Sequence, residues 1–126
     1  MTQQDNLNNF LESLSADLNG FIGASIVDLD TGMSLASISK YPDFDLDVAA
    51  AYNSEMVKAK FKTMEALGIS GGLEDMLLTL TDQLHLIKFL DDNMFVYLAV
   101  TSAQSNLALM RKSVLLRLSL IHISEP

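Results

Sequence analysis

The spacing of hydrophobic and polar positions changes several times along this chain, and each change predicts a new element. In LNNFLESLSADL, apolar residues recur every three or four positions, which predicts an amphipathic helix that Thr2 caps and Asn19-Gly20 ends. The stretch FIGASIVDL is apolar and rich in β-branched residues, and MSLASIS resumes that character after a short loop ending at Gly32. Two strands joined so closely form a hairpin.

A long helical pattern, LDVAAAYNSEMVKAKFKTMEAL, runs from residue 46 to residue 67, with acidic residues at its start that suit the helix dipole. Its polar residues fall on one narrow stripe: Glu55, Lys58, Lys62 and Glu65. A helix that rests on one sheet needs an apolar stripe only about 100° wide, and here the apolar surface is wider. Either both flanks of this helix are buried in the monomer, or one flank meets another chain.

Three further strand patterns follow, LEDMLLTL, LHLIKFL and MFVYLAV, and the links between them are so short that they join antiparallel neighbours. The last pattern is almost continuously apolar, which predicts a central strand covered on both faces. A final helix, AQSNLALMRKSVLLR, is predicted to start at a Ser102 cap. The predicted fold is α/β (α+β), in the order α-β-β-α-β-β-β-α, with one five-stranded antiparallel sheet flanked by helices on both faces.

Charge and composition narrow the function classes. The chain has 126 residues, no cysteine and a net charge of −8. Such a charge repels phosphate backbones and anionic headgroups, so we expect neither nucleic-acid binding nor membrane insertion. No apolar run approaches the roughly 20 residues of a bilayer span, and the first residues, MTQQDNLNNF, lack the basic region of a secretory signal. We therefore expect a cytoplasmic protein.

The last nine residues, 118–126, read LSLIHISEP. The codons CTG TCT CTT ATA CAC ATC TCC GAG CCC encode this peptide, and they resemble a transposon-based sequencing adapter. We therefore divide the chain into a domain at 1–117 and read-through at 118–126 that is not native. Removing Glu125 leaves eight basic against fifteen acidic residues, a charge of −7, so the acidic character persists.

The turn after the first strand is similar to two catalytic motifs. Asp28 and Asp30 follow an apolar strand as in haloacid-dehalogenase phosphatases, and Asp30-Thr31-Gly32 is similar to the aspartic-protease motif, in which two carboxylates share a proton. The phosphatase motif has Gly before Thr and leads into a crossover helix, whereas here the order is reversed and a strand returns. The protease motif continues with Ser or Ala in an all-β chain, whereas Met33 and then a long helix follow here. We interpret Asp30 and Gly32 as turn residues.

Other candidates for chemistry are weak. His85 lies in a strand pattern, GISGG lacks the lysine of a phosphate-binding loop, and Glu74-Asp75 and Asp91-Asp92 suit solvated strand ends. Arg111 and Arg117 are expected to be exposed on the last helix. The sequence predicts no catalytic residue, no cofactor and no metal site, and hence no enzyme.

Several stretches in order resemble the Roadblock/dynein light chain family. GASIVDLDTGMSLAS is similar to the family's "gv.ga.ivd.dG..las" followed by a hairpin and a long helix. LEDMLLTLTDQLHLIKFL, FVYLAV and SNLALMRKSV are similar to "edil.tl..qyhlir" and "flyl.l…anlalar" of bacterial members, with Leu84 and Met110 as mild departures. The resemblance covers roughly residues 5 to 117. It implies a profilin-like, Roadblock architecture.

The resemblance also implies a function. Family members form homodimers through the long helix and the adjacent edge strand, and bacterial members are similar to regulators and scaffolds of small Ras-like GTPases. Carried onto this chain, the dimer surface would be the helix 46–67 and the strand 73–80. The expected interface residues are Ala49, Tyr52, Met56, Ala59, Met76 and Leu78. The implied partners are a second copy of the chain and a small Ras-like GTPase, whose own catalytic residues this protein would position.

Two alternatives remain open. A small-molecule sensor of PAS-like or profilin-like type would wrap helices around a similar sheet, and it would need an internal pocket. An enzyme acting through Asp28 or Asp30 would lose its activity in Asp30→Asn, whereas a binding protein would change little.

Overall fold

The computed structural model describes residues 2–118 and 121. Three helices and five strands follow one another in the predicted order. They are α1 (Gln3–Asp17), β1 (Phe21–Asp28), β2 (Met33–Ser39), α2 (Leu46–Ala66), β3 (Asp75–Thr79), β4 (Gln83–Phe89), β5 (Met94–Thr101) and α3 (Leu107–Arg117). Of the proposed read-through at 118–126, only Leu118 and Ile121 are among the described residues. No helix in the described part combines the length and apolar character that crossing a bilayer requires.

The strands form one antiparallel sheet in the order β2-β1-β5-β4-β3. The central strand is β5, as its continuous apolar sequence predicted. Its residues from 95 to 100 are all buried, because helices cover both faces there. The sheet therefore has β2 at one edge and β3 at the other.

One face of the sheet carries α1 and α3. Thr2 begins α1 with a reciprocal capping box, its hydroxyl accepting from the Asp5 amide at 3.0 Å. The predicted helical stripe is buried in the core beneath α1, with Phe10 and Leu14 fully covered. The prediction of a Ser102 cap is wrong. Asn106 caps α3 through its side-chain oxygen, which accepts from the Leu109 amide at 2.9 Å.

The opposite face carries α2 alone. Asp45 caps this helix by accepting from the amides of Asp47 and Val48. The helix packs over β1 and β2, where Ala50 and Val57 are fully buried against the sheet. Because one helix about 10 Å wide cannot cover five strands spaced about 4.8 Å apart, the β4–β3 half of this face has no helix above it.

Candidate interaction surface

The Asp28 carboxylate holds the β1–β2 turn together. One of its oxygens accepts from the Thr31 hydroxyl at 2.7 Å and the Thr31 amide at 3.0 Å. The other accepts from the Asn93 side-chain amide at 2.6 Å. These bonds, led by that of the Thr31 hydroxyl, lower the pKa of Asp28. Both oxygens are therefore occupied in shaping a turn, as expected for loop residues chosen for backbone geometry.

Asn93 joins this turn to the one between β4 and β5. Its side-chain oxygen accepts from the Asp30 amide at 3.2 Å, while its nitrogen donates to Asp28. The Lys58 ammonium of α2 donates to the Asp30 carbonyl at 3.2 Å. Gly32 closes the turn with φ of 73°, a left-handed conformation that favours glycine. Sequence reasoning missed Asn93, because it lies 65 residues from Asp28.

The two flanks of α2 have different surroundings. Lys58 and Ala51 lie toward the β1–β2 hairpin; a side-chain carbon on Gly32 would come within 3.7 Å of the Ala51 backbone. At about 100° per residue, Ala49 and Met56 lie on the opposite flank, toward β4 and β3. We call this second side the open flank: Ala49, Met56 and the exposed Lys60 lie on it, and Tyr52 and Ala59 lie between it and the solvent-facing side of the helix.

The six residues expected at a dimer interface border the uncovered half of the sheet. Tyr52 is 74% exposed, Ala59 is exposed, and Ala49 and Met56 are half-buried along the open flank. Met76 and Leu78 are half-buried in β3. Their side chains point to the α2 face, because Leu77 between them packs with the core of the other face. We call the region between the open flank and β3 the open trough.

Strand β3 has an unpaired edge. The Leu80 amide donates to the Gln83 carbonyl, and the Phe89 amide donates to the Glu74 carbonyl. In an antiparallel ladder this pattern turns the main-chain N–H and C=O groups of even-numbered β3 residues toward β4. Those of the odd-numbered residues point outward. The main-chain groups of residues 75, 77 and 79 therefore point away from the sheet. An apolar strand with such an edge is a template for pairing with another chain.

The expectation that both arginines of α3 are solvent-exposed is wrong for Arg117, whose side chain is only 18% exposed. It donates to the Ser13 hydroxyl at 2.6 Å and pairs with Asp17 at 3.2 Å, which ties α3 to α1. Arg111 is 46% exposed and makes two bonds, of 3.1 and 3.2 Å, to Asp75 at the start of β3. Each arginine therefore has a partner within the chain.

His85 lies on the floor of the open trough, opposite Leu78 in the β3–β4 ladder. Its Nδ1 is 3.0 Å from the Tyr97 hydroxyl, and its Nε2 is 2.7 Å from the side-chain oxygen of Gln83. Phe44 covers the pair, stacked on Tyr97 and edge-on to His85 with ring centroids 6.5 Å apart in both cases. Burial lowers the pKa of His85 and raises that of Tyr97 to about 12.

A groove of about 730 Å³ lies at the outer end of α1, between Leu18, Gly20, Ile38 and Lys40. Its lining comes from the end of α1, the start of β1, the end of β2 and Gln104. In the described part of the chain, no group of three or more His, Cys, Asp or Glu side chains is placed to hold a metal ion.

No protein-family model and no curated protein sequence matches the chain. Solved structures do match over nearly its whole length. MglB of Myxococcus xanthus is 14% identical, with 96% of this chain and 88% of that one covered and a TM-score of 0.84. A Roadblock/LC7 domain from Streptomyces avermitilis is 14% identical, with 89% and 91% covered and a TM-score of 0.77.

The chain has the Roadblock/LC7 fold. A further Roadblock neighbour, an MglB with a tetrameric arrangement, is 14% identical, with 96% and 88% of the two chains covered and a TM-score of 0.80. The element order, the single antiparallel sheet and the lone α2 over one face all agree with the Roadblock architecture that the sequence predicted.

Proposed function

We propose that this protein is a homodimeric, non-enzymatic adaptor that binds a small Ras-like GTPase and regulates it. The observation that carries the proposal is the open trough beside the unpaired edge of β3. A half-covered sheet face, an exposed apolar helix flank and a free strand edge adjoin one another, and a second copy of the chain supplies the matching elements about a two-fold axis.

In the proposed dimer, β3 pairs with β3 of the second copy, which continues the sheet across both subunits. The two α2 helices then lie side by side through their open flanks. This pairing covers Met56, Met76 and Leu78 and pairs the outward main-chain groups of β3. The tetrameric arrangement of one MglB neighbour supports self-association as a property of this fold.

The GTPase partner follows from the Roadblock resemblance rather than from a catalytic site. Asp28 is occupied in a turn, and Arg111 and Arg117 are engaged within the chain. None of these side chains is free to enter another protein's active site. We therefore infer that any effect on GTP hydrolysis arises because the adaptor orders the GTPase's own catalytic residues.

Two exposed alanines of α2 give a matched test of the dimer. Ala59→Arg places a long charged side chain on the open flank, and Ala51→Arg places the same side chain on the hairpin flank. Light scattering after gel filtration should give a dimer for the wild type and Ala51→Arg, and a folded monomer for Ala59→Arg. A monomeric wild type at high concentration would contradict the proposal.

The GTPase is tested separately. A purified small Ras-like GTPase is loaded with GDP or a non-hydrolysable GTP analogue and mixed with the wild type or Ala59→Arg. We expect binding in one nucleotide state, lost or weakened in the monomeric variant. Single-turnover hydrolysis with and without the protein then separates scaffolding from activation. Absence of binding in both nucleotide states would refute the GTPase assignment while leaving the dimer intact.

A further inference from the structure

A series of hydrogen-bonded polar side chains lies across the floor of the open trough. The Tyr97 hydroxyl lies 3.0 Å from Nδ1 of His85, and Nε2 of His85 lies 2.7 Å from the Gln83 side-chain oxygen. The buried side-chain nitrogen of Asn53, on α2, approaches the Tyr97 hydroxyl and opposes the rise of its pKa, although it makes no hydrogen bond of good geometry. The hydrogen-bonded series thus joins β5 to β4, and Asn53 of α2 lies beside its Tyr97 end.

The neutral form of His85 satisfies these contacts with a donor facing an acceptor at each one. The Gln83 oxygen is an acceptor, so Nε2 carries a hydrogen and donates to it. Nδ1 is then free to accept from the Tyr97 hydroxyl. A protonated Nδ1 would instead donate to the phenol oxygen, and the Tyr97 hydrogen would need another acceptor. A closed trough without water offers fewer such acceptors, so closure favours the neutral histidine.

The position of His85 links its protonation state to self-association. His85 lies opposite Leu78 of the edge strand, and its partner Tyr97 lies beside Asn53 of α2. The edge strand and α2 are the two elements proposed to meet a second copy. His85 is half-buried in the single chain, and covering the trough removes its remaining water. A charged imidazole loses more from that desolvation than a neutral one.

We propose that His85 makes dimerisation proton-sensitive: the neutral imidazole is compatible with the closed trough, and the protonated imidazole opposes its closure. This inference rests on the proposed dimer. The dimer favours the neutral form, so acidification weakens association.

The side chains around His85 do not offset the effect of its protonation on dimerisation. Tyr97 from β5 is the titratable side chain in contact with His85, and it stays protonated through the range in which histidine titrates. Leu78 faces His85 from β3, and Asn53 of α2 is a neutral neighbour of Tyr97. On the Phe44 loop, the carboxylate of Asp45 is engaged in capping α2. Burial is the cause of the lowered pKa of His85, with no contribution from a charged neighbour in the described residues.

The test measures the dimer dissociation constant of the full chain at pH 7.5 and pH 5.5 by sedimentation velocity. A pKa difference of about one unit for each of two histidines predicts a dimer dissociation constant about tenfold larger at pH 5.5 than at pH 7.5. His85→Gln keeps a neutral polar side chain and should abolish most of this dependence. The matched control is His122→Gln, at the chain's other histidine, which should leave the dependence unchanged.

A second measurement follows His85 directly. Its pKa, read from imidazole carbon-bound proton shifts, should be lower in the dimeric wild type than in Ala59→Arg. Dimers that form equally well at both pH values, with equal pKa values in the two proteins, would overturn the inference and leave the dimer standing. A wild type that is monomeric at both pH values would overturn the dimer and this inference together.

Discussion

The two edges of the sheet are protected differently. Strand β2 contains a bulge in which Leu35 has no partner between the pairs Ile26↔Ala36 and Val27↔Ser34, and the Gln4 side chain of α1 donates to the Leu35 carbonyl at 3.2 Å. Strand β3 pairs with β4 in unbroken register. Bulges and side-chain caps are devices that discourage pairing between sheets.

The difference supports the proposal that assembly takes place at β3 rather than at β2. At β2, the bulge at Leu35 interrupts an otherwise regular strand, so a second strand could not pair along the full length of β2. At β3, the odd-numbered main-chain groups remain aligned, and Met76 and Leu78 provide apolar surface beside them. A regular edge is the one to which a second strand adds more readily, which agrees with the proposed pairing through β3.

The largest expected effect comes from matched prolines at the two edges. The amide of Thr79 points outward from β3, and the amide of Ser37 points outward from β2, because the neighbouring ladder bonds alternate. Proline removes an outward donor without breaking a bond inside the chain. Thr79→Pro should raise the dimer dissociation constant by about tenfold to a hundredfold, and Ser37→Pro should not change it, as measured by sedimentation velocity. Equal weakening by both prolines would remove the distinction between the edges.

A smaller effect is expected at the turn that leads into β2. Asp28→Asn should lower the thermal unfolding midpoint at pH 7, because a neutral amide accepts hydrogen bonds from Thr31 less strongly than a carboxylate. The folded-state pKa of Asp28 is lowered, so its contribution is present above the unfolded value near 3.8 and is lost as pH falls through the folded value. The difference in unfolding midpoint between Asp28→Asn and the wild type, measured by circular dichroism, should therefore shrink as the pH falls toward 2.

Asp30→Asn is the control for this experiment, because Asp30 takes part in the turn through its main-chain amide and carbonyl. It should melt like the wild type at pH 7. If instead Asp30→Asn is the more damaging change, the structural role assigned to Asp28 is wrong.

The smallest effect is expected for Gln4→Ala. It removes the bond to the Leu35 carbonyl, at an exposed position where a hydrogen bond contributes on the order of 0.5 kcal/mol. Because the bulge persists, mass photometry should show no assembly larger than that of the wild type. Larger assemblies would show that Gln4, rather than the bulge, protects the β2 edge.

The elements were predictable because their signals are local. The helical stripe of α1, the continuous apolar sequence of β5 and the left-handed turn at Gly32 each depend on a few neighbouring residues. The wide apolar surface of α2 left two possibilities, and the exposure along one side of the helix excludes burial of both flanks within the monomer. In the structure, one flank of α2 lies against the β1–β2 hairpin and the other flank is left open.

The errors involve partners that are distant in sequence or choices among similar residues. Ser102 and Asn106 are both good caps, and only the path of the chain after β5 selects Asn106. The burial of Arg117 depends on Ser13 and Asp17, which are about a hundred residues away. The network of His85 likewise requires the register of β4 against β5 and the position of α2. Packing of distant segments decides each of these.

The pairing of β1 with β5 affects the order in which the strands of the sheet can pair during folding. Ala24 lies opposite Leu98, so 98 minus 24, or 74 residues, must be looped before the middle of the sheet exists. Closing so long a loop is slow compared with forming the hairpins β1–β2 and β4–β5. The β3–β4 hairpin precedes β5 in the chain, so it too can form before that closure.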